Sequence, residues 1–101
     1  MTNTPWGESQ YANHHLRGCI TYATASHGGI KVSPTMAKQL TEYTRSHASY
    51  VDNQGYWYEE DLDYLLPLYE LQDLPNADFS QYRKVTLEQI KQHWEDYPSC
   101  Q

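Results

Sequence analysis

The chain has 101 residues, a formal net charge of −6 and a pI near 5.1. That length predicts one domain, residues 1–101, and that charge argues against unaided binding to DNA, RNA or an anionic membrane. No apolar run approaches membrane-spanning length, and residues 1–7 lack the basic flank and apolar stretch of a signal peptide, so the expectation is a soluble protein of the cytoplasm.

In chain order, residues 1–7 read as an extended arm, because Pro5 and Gly7 discourage a helix. Residues 19–24 alternate as a strand does, with Ile20 and Tyr22 on one face. Ser26-His27-Gly28-Gly29 reads as a turn, since two glycines allow positive φ, and Ile30-Lys31-Val32 reads as the returning strand. Ser33-Pro34 opens a helix carrying Met36, Leu40 and Tyr43 and fraying near Ser46, because serine caps and proline is tolerated at the first helical position. Residues 47–55 are a loop, with turn chemistry in Asp52-Asn53-Gln54-Gly55, and Tyr56-Trp57-Tyr58 suits a short third strand. A second helix is expected from about Glu59, with Tyr58, Leu62, Leu65, Leu66 and Tyr69 on its apolar face and its early acids at the positive end of the dipole. Pro67 falls off that stripe and kinks or restarts the helix. Residues 74–78 form a connector. Thr86 with Gln89 matches a capping box opening a third helix, buried through Leu87, Ile90, Trp94 and Tyr97 and stopped by Pro98. The predicted fold is α+β: a small antiparallel sheet of two or three strands packed with about three helices.

The core is thin in aliphatic residues. Leu, Ile, Val and Phe total 16, and ten tyrosines and three tryptophans compensate, each burying a large ring while its polar atom finds a partner. Trp6, Trp57 and Trp94 are read as core anchors. Cys19 is expected as a small buried residue and Cys100 as an exposed one, with neither in a disulfide. His14-His15 is read as a surface dipeptide.

No lysine or arginine occurs between Arg45 and Arg83, and that stretch holds eight acids: Asp52, Glu59, Glu60, Asp61, Asp63, Glu70, Asp73 and Asp78. Tyr50, Tyr56, Trp57, Tyr58, Tyr64 and Tyr69 are interleaved with them. Such a segment is either a solvated face or a surface for a basic partner, with carboxylates steering and rings supplying contact area. The residues assigned to partner binding are Tyr56, Tyr58, Glu59, Glu60, Asp61, Asp63, Tyr64 and Glu70. A possible polar site is Ser26, His27, Gly28 and Gly29, whose plainer reading is a hairpin turn. His27 beside the carboxylates of residues 59–63 would make a structural pair, a metal site or a catalytic pair. No nucleophile with an oxyanion motif accompanies them, so no catalytic residue, metal ligand or cofactor is assigned.

Thr4-Pro5-Trp6-Gly7, then Thr24-Ala25-Ser26-His27-Gly28-Gly29-Ile30-Lys31-Val32-Ser33-Pro34, then Trp57-Tyr58-Glu59-Glu60-Asp61 resemble, in order, blocks of a family of small uncharacterised proteins encoded mainly by phages, plasmids and other mobile elements of bacteria. The resemblance covers roughly the first two thirds of the chain, and the helix from Thr86 onward has no counterpart in it. Family members often carry cysteine after the Glu-Glu-Asp block, where this chain has Leu62. The resemblance implies a protein made inside a bacterial cell. The family carries over no activity; by analogy with small acidic proteins of mobile elements, the expected function is to bind and inhibit a host defence factor, of the anti-CRISPR kind, through the acidic tyrosine-rich surface and on a basic host protein or nucleoprotein complex. The alternative is a small enzyme or metal-binding domain using His27 and the carboxylates of residues 59–63.

Overall fold

A computed structural model of the protein describes residues 3–98. The chain is mostly sheet. Five strands, β3 (Tyr11–Leu16), β4 (Cys19–Ala23), β5 (Gly28–Val32), β6 (Tyr50–Asp52) and β7 (Gly55–Glu59), pair antiparallel in the order β3-β4-β5-β7-β6. A separate two-stranded hairpin, β1 (Asn3–Thr4) and β2 (Gly7–Glu8), precedes them. The helices are short: a 3₁₀ turn at Met36–Gln39, α1 (Glu42–Ser46), α2 (Leu65–Leu71) and α3 (Leu87–His93). The expected small sheet packed with helices is thereby corrected to a five-stranded sheet with short helices. No described helix is long and apolar enough to cross a membrane.

The β4–β5 hairpin forms where the alternating pattern put it, with Thr21 opposite Ile30. Its turn differs from the expected one. Thr24 Oγ1 donates to the His27 carbonyl at 2.7 Å and accepts from the His27 amide at 3.0 Å, closing the loop at residues 24–27. Gly28 and Gly29 lie inside β5. Glycine is required at 29 by close approach. A Cβ there would sit 2.1 Å from the Tyr58 carbonyl oxygen and 2.5 Å from the Trp6 indole.

Successive strand residues face opposite sides of the sheet. Ile30, Val32, Tyr58 and Cys19 point into a core completed by Ala37, Leu40 and Leu71. On the other side the fully buried Trp57 meets Trp6 edge-on, at 5.8 Å between ring centroids, and tilts against Tyr22. The segment expected as an extended arm is therefore a hairpin that lays Trp6 over the sheet; residues 1 and 2 of that arm lie outside the described residues. Lys31 completes this face, its ammonium 5.6 Å from both the Tyr22 and Trp57 rings.

The helix expected from Ser33 is broken in two. Ser33 Oγ does accept from the Met36 amide at 3.1 Å, as an N-cap should. Leu40 then turns extended, with φ −87° and ψ 152°, and Thr41 caps α1 afresh. Arg45 Nη1 donates to the Ala37 and Leu40 carbonyls at 3.2 and 2.6 Å, bridging the break and sharing the Ala37 oxygen with the Leu40 amide.

The helix expected from Glu59 begins six residues later. Tyr58 pairs with Ile30 across the sheet, which carries β7 through Glu59, and residues 60–64 form a turn. Pro67 then stands in the first turn of α2 and is buried, so its missing N–H removes no helical hydrogen bond and its ring joins the packing. Around α2 a second core gathers Leu66, Leu68, Val85, Ile90, Trp94 and Tyr97. The capping box at Thr86 and Gln89 is formed in both directions. Cys19 is buried as expected; Cys100 lies outside the described residues.

Candidate binding site

The eight acids of the lysine- and arginine-free stretch divide into two groups. Five are engaged inside the fold. Asp52 accepts from the Gln54 amide and from Trp57 Nε1, at 2.9 and 3.0 Å. Asp63 accepts from the Ser49 hydroxyl at 2.7 Å. Asp73 pairs with Lys84 at 3.3 Å, both ends exposed. Asp78 accepts from the Ser80 hydroxyl and amide, which hold its carboxyl below the usual range. Glu70 collects four donors: the Thr41 amide and hydroxyl, the Thr44 hydroxyl and the Tyr97 hydroxyl. Glu70, assigned from sequence to a partner surface, is an internal junction between α1, α2 and the C-terminal segment.

The carboxylates of Glu59, Glu60 and Asp61 make no hydrogen bond or ion pair with any described residue. They are consecutive at the end of β7, with Glu60 and Asp61 exposed. Of the tyrosines assigned beside them, Tyr58 is wholly buried and donates to the Thr44 carbonyl at 2.8 Å, so it reaches no partner. Burial pushes its hydroxyl pKa up. Tyr56 is half-buried against the first core. Tyr64 is half-buried too, its ring centroid 5.9 Å from that of Tyr82. Tyr50, on the edge strand β6, is 56% exposed.

The polar turn and the acidic segment are neighbours. Gly29 pairs with Glu59, and the Glu60 amide donates to the Gly28 carbonyl at 3.0 Å. Ser26 and His27 are exposed, and the His27 imidazole bonds to none of the described carboxylates. Among the described residues no group of three His, Cys, Asp or Glu side chains is placed to hold a metal ion.

Glu60 reaches a pocket of about 190 Å³ lined by Thr21, Gly29, Ile30, Glu60, Tyr64 and Tyr82. Behind its polar wall runs a hydrogen-bond chain that the sequence did not disclose. His15 Nδ1 lies 3.0 Å from the Asp78 carbonyl oxygen, His15 Nε2 meets Thr21 Oγ1, and Thr21 Oγ1 lies 2.8 Å from the Tyr82 hydroxyl. His15 is 2% exposed and stacks on Phe79 at 4.6 Å, so only His14 of the dipeptide is on the surface. Burial lowers the His15 pKa from 6.5, opposed by its hydrogen bond to Asp78. The Asp78 amide returns a bond to the His15 carbonyl at 2.7 Å, which clamps the segment after α2 onto strand β3.

No curated protein and no solved structure matches the chain. A family model does match, over residues 1–99, and the chain belongs to that family, described as a domain of unknown function (DUF7007).

Proposed function

We propose that the chain is a binding protein that docks a basic protein or nucleoprotein surface through Glu59, Glu60 and Asp61, with Tyr64 beside them. The observation that carries this reading is the division of the acids. Five have partners within the fold, whereas three consecutive carboxylates at one strand end have none among the described residues. Three unpaired like charges this close repel one another, and a cationic partner relieves that repulsion and is steered by it. The polar turn at Ser26 and His27 borders the same surface.

In its most specific form the proposal is inhibition of a host defence factor inside a bacterial cell, of the anti-CRISPR kind. That form rests on the resemblance of the motif blocks and on the sign of the surface. The test is parallel capture from bacterial lysate, read by mass spectrometry. The baits are the native chain and the triple variant Glu59→Gln, Glu60→Gln, Asp61→Asn. The expected result is a basic protein or nucleoprotein enriched by the native chain and lost with the variant. Identical profiles from both baits would count against the proposal.

A further inference from the structure

The pocket beside Glu60 has a chemical polarity that follows from where its hydrogens sit. The Asp78 carbonyl oxygen can only accept, so His15 carries its hydrogen on Nδ1. Burial disfavours the charged ring, which leaves Nε2 as a bare acceptor. The Thr21 hydroxyl therefore donates to His15 Nε2, and the Tyr82 hydroxyl donates to Thr21 Oγ1. Every hydrogen along the chain points inward, and Tyr82 Oη, which has the Gln81 side chain as a second hydrogen-bonding neighbour, can offer the pocket only an acceptor. The Glu60 carboxylate on the same pocket wall is an acceptor as well. The half-buried rings of Tyr64 and Tyr82, tilted at 38° to each other, supply apolar surface, with Ile30 buried beneath the pocket floor. A ligand that suits this lining brings several N–H donors, a positive charge and an alkyl stem.

We propose that this pocket receives a lysine side chain of the partner, with its ammonium on Glu60 and Tyr82 Oη and its stem against the Tyr64 and Tyr82 rings. The proposal rests on the reading that the partner is basic. Lysine suits the lining better than arginine. Its three donors rotate to reach acceptors on separate residues, whereas the guanidinium fork needs two acceptors in one plane. Aromatic ring faces add attraction for a compact cation.

The probe is n-butylammonium chloride, titrated into the whole chain and followed by amide chemical shifts, with n-butanol and n-propylguanidinium as comparison ligands. The expected result is saturable shifts at Gly29, Ile30, Glu60, Tyr64 and Tyr82. Butanol should bind at least tenfold more weakly, propylguanidinium more weakly than butylammonium, and Glu60→Gln should weaken the amine at least tenfold without disturbing distant resonances. Absence of saturable shifts, equal binding of butanol, tighter binding of propylguanidinium, or indifference to Glu60→Gln would each overturn the proposal. The pocket and the partner reading fail separately. Acid-dependent capture without amine binding overturns the pocket alone. Amine binding without any acid-dependent capture overturns the assignment of the ligand to a partner.

Discussion

The hydroxyl of Tyr97 donates to Oε2 of Glu70 at 2.5 Å, joining the segment after α3 to α2. The same carboxylate accepts the Thr41 amide and hydroxyl at 2.8 Å each and the Thr44 hydroxyl at 2.7 Å. Removing it leaves four donors without their acceptor in a half-buried setting, and such losses are costly. Glu70→Ala should lower stability by about 3 kcal/mol in urea unfolding. Tyr97→Phe should cost about 1.5 kcal/mol in the native background and far less in the Glu70→Ala background, because the two share one interaction. Additive losses would show that the Tyr97 hydroxyl stabilises the fold independently of Glu70.

Gly29 should tolerate no side chain. Its added Cβ would overlap both the Tyr58 carbonyl and the Trp6 ring. The carbonyl belongs to the sheet and can yield only if β5 and β7 separate. Gly29→Ala is expected to destabilise by about 2 kcal/mol or more, and Trp6→Ala in the same chain should fail to restore the loss. Recovery in the double variant would place the whole conflict at the indole.

His15 should make stability depend on pH below neutrality. Its native pKa is lowered from 6.5, chiefly by burial and further by His14, while the Asp78 carbonyl and carboxylate oppose the shift. The unfolded chain therefore binds the proton more readily. Stability is full above 6.5, falls as pH drops below that value, and levels off once the native ring is protonated. One proton limits the slope to about 1.4 kcal/mol per pH unit. Urea midpoints of the native chain should fall between pH 7.5 and 5.5, and His15→Gln should flatten that decline. Parallel profiles for the two chains would assign the dependence to other groups.

The β4–β5 pairing, the capping box at Thr86 and the burial of Cys19 were legible because each rests on local chemistry, strand alternation or a reciprocal cap, although the hairpin's turn closes at residues 24–27. Strand β3 was not. Ala12, Asn13, His14 and His15 show no apolar alternation, and His15 is buried only because Thr21 and Asp78 satisfy it from other segments. Strand β6 is three exposed residues at the sheet edge and carries almost no pattern. The spacing of Tyr58, Leu62, Leu65 and Leu66 mimicked a helix from Glu59, but cross-sheet pairing of Tyr58 with Ile30 prevailed over local period. At the candidate site, the nearness of the His27 turn to the acids could be anticipated. The pocket could not, since Tyr82 reaches it from 61 residues beyond Thr21.

The most direct measurement of the central claim is the association rate of the chain with its captured partner as ionic strength is varied. For the native chain the rate should fall steeply with added salt, because unpaired carboxylates steer the encounter. The triple variant Glu59→Gln, Glu60→Gln, Asp61→Asn should associate about tenfold more slowly at low salt and show a shallower salt dependence. Asp73→Asn, which removes an acid already paired with Lys84, should behave more like the native chain. Superimposable rates for the native chain and the triple variant across the salt series would contradict the account.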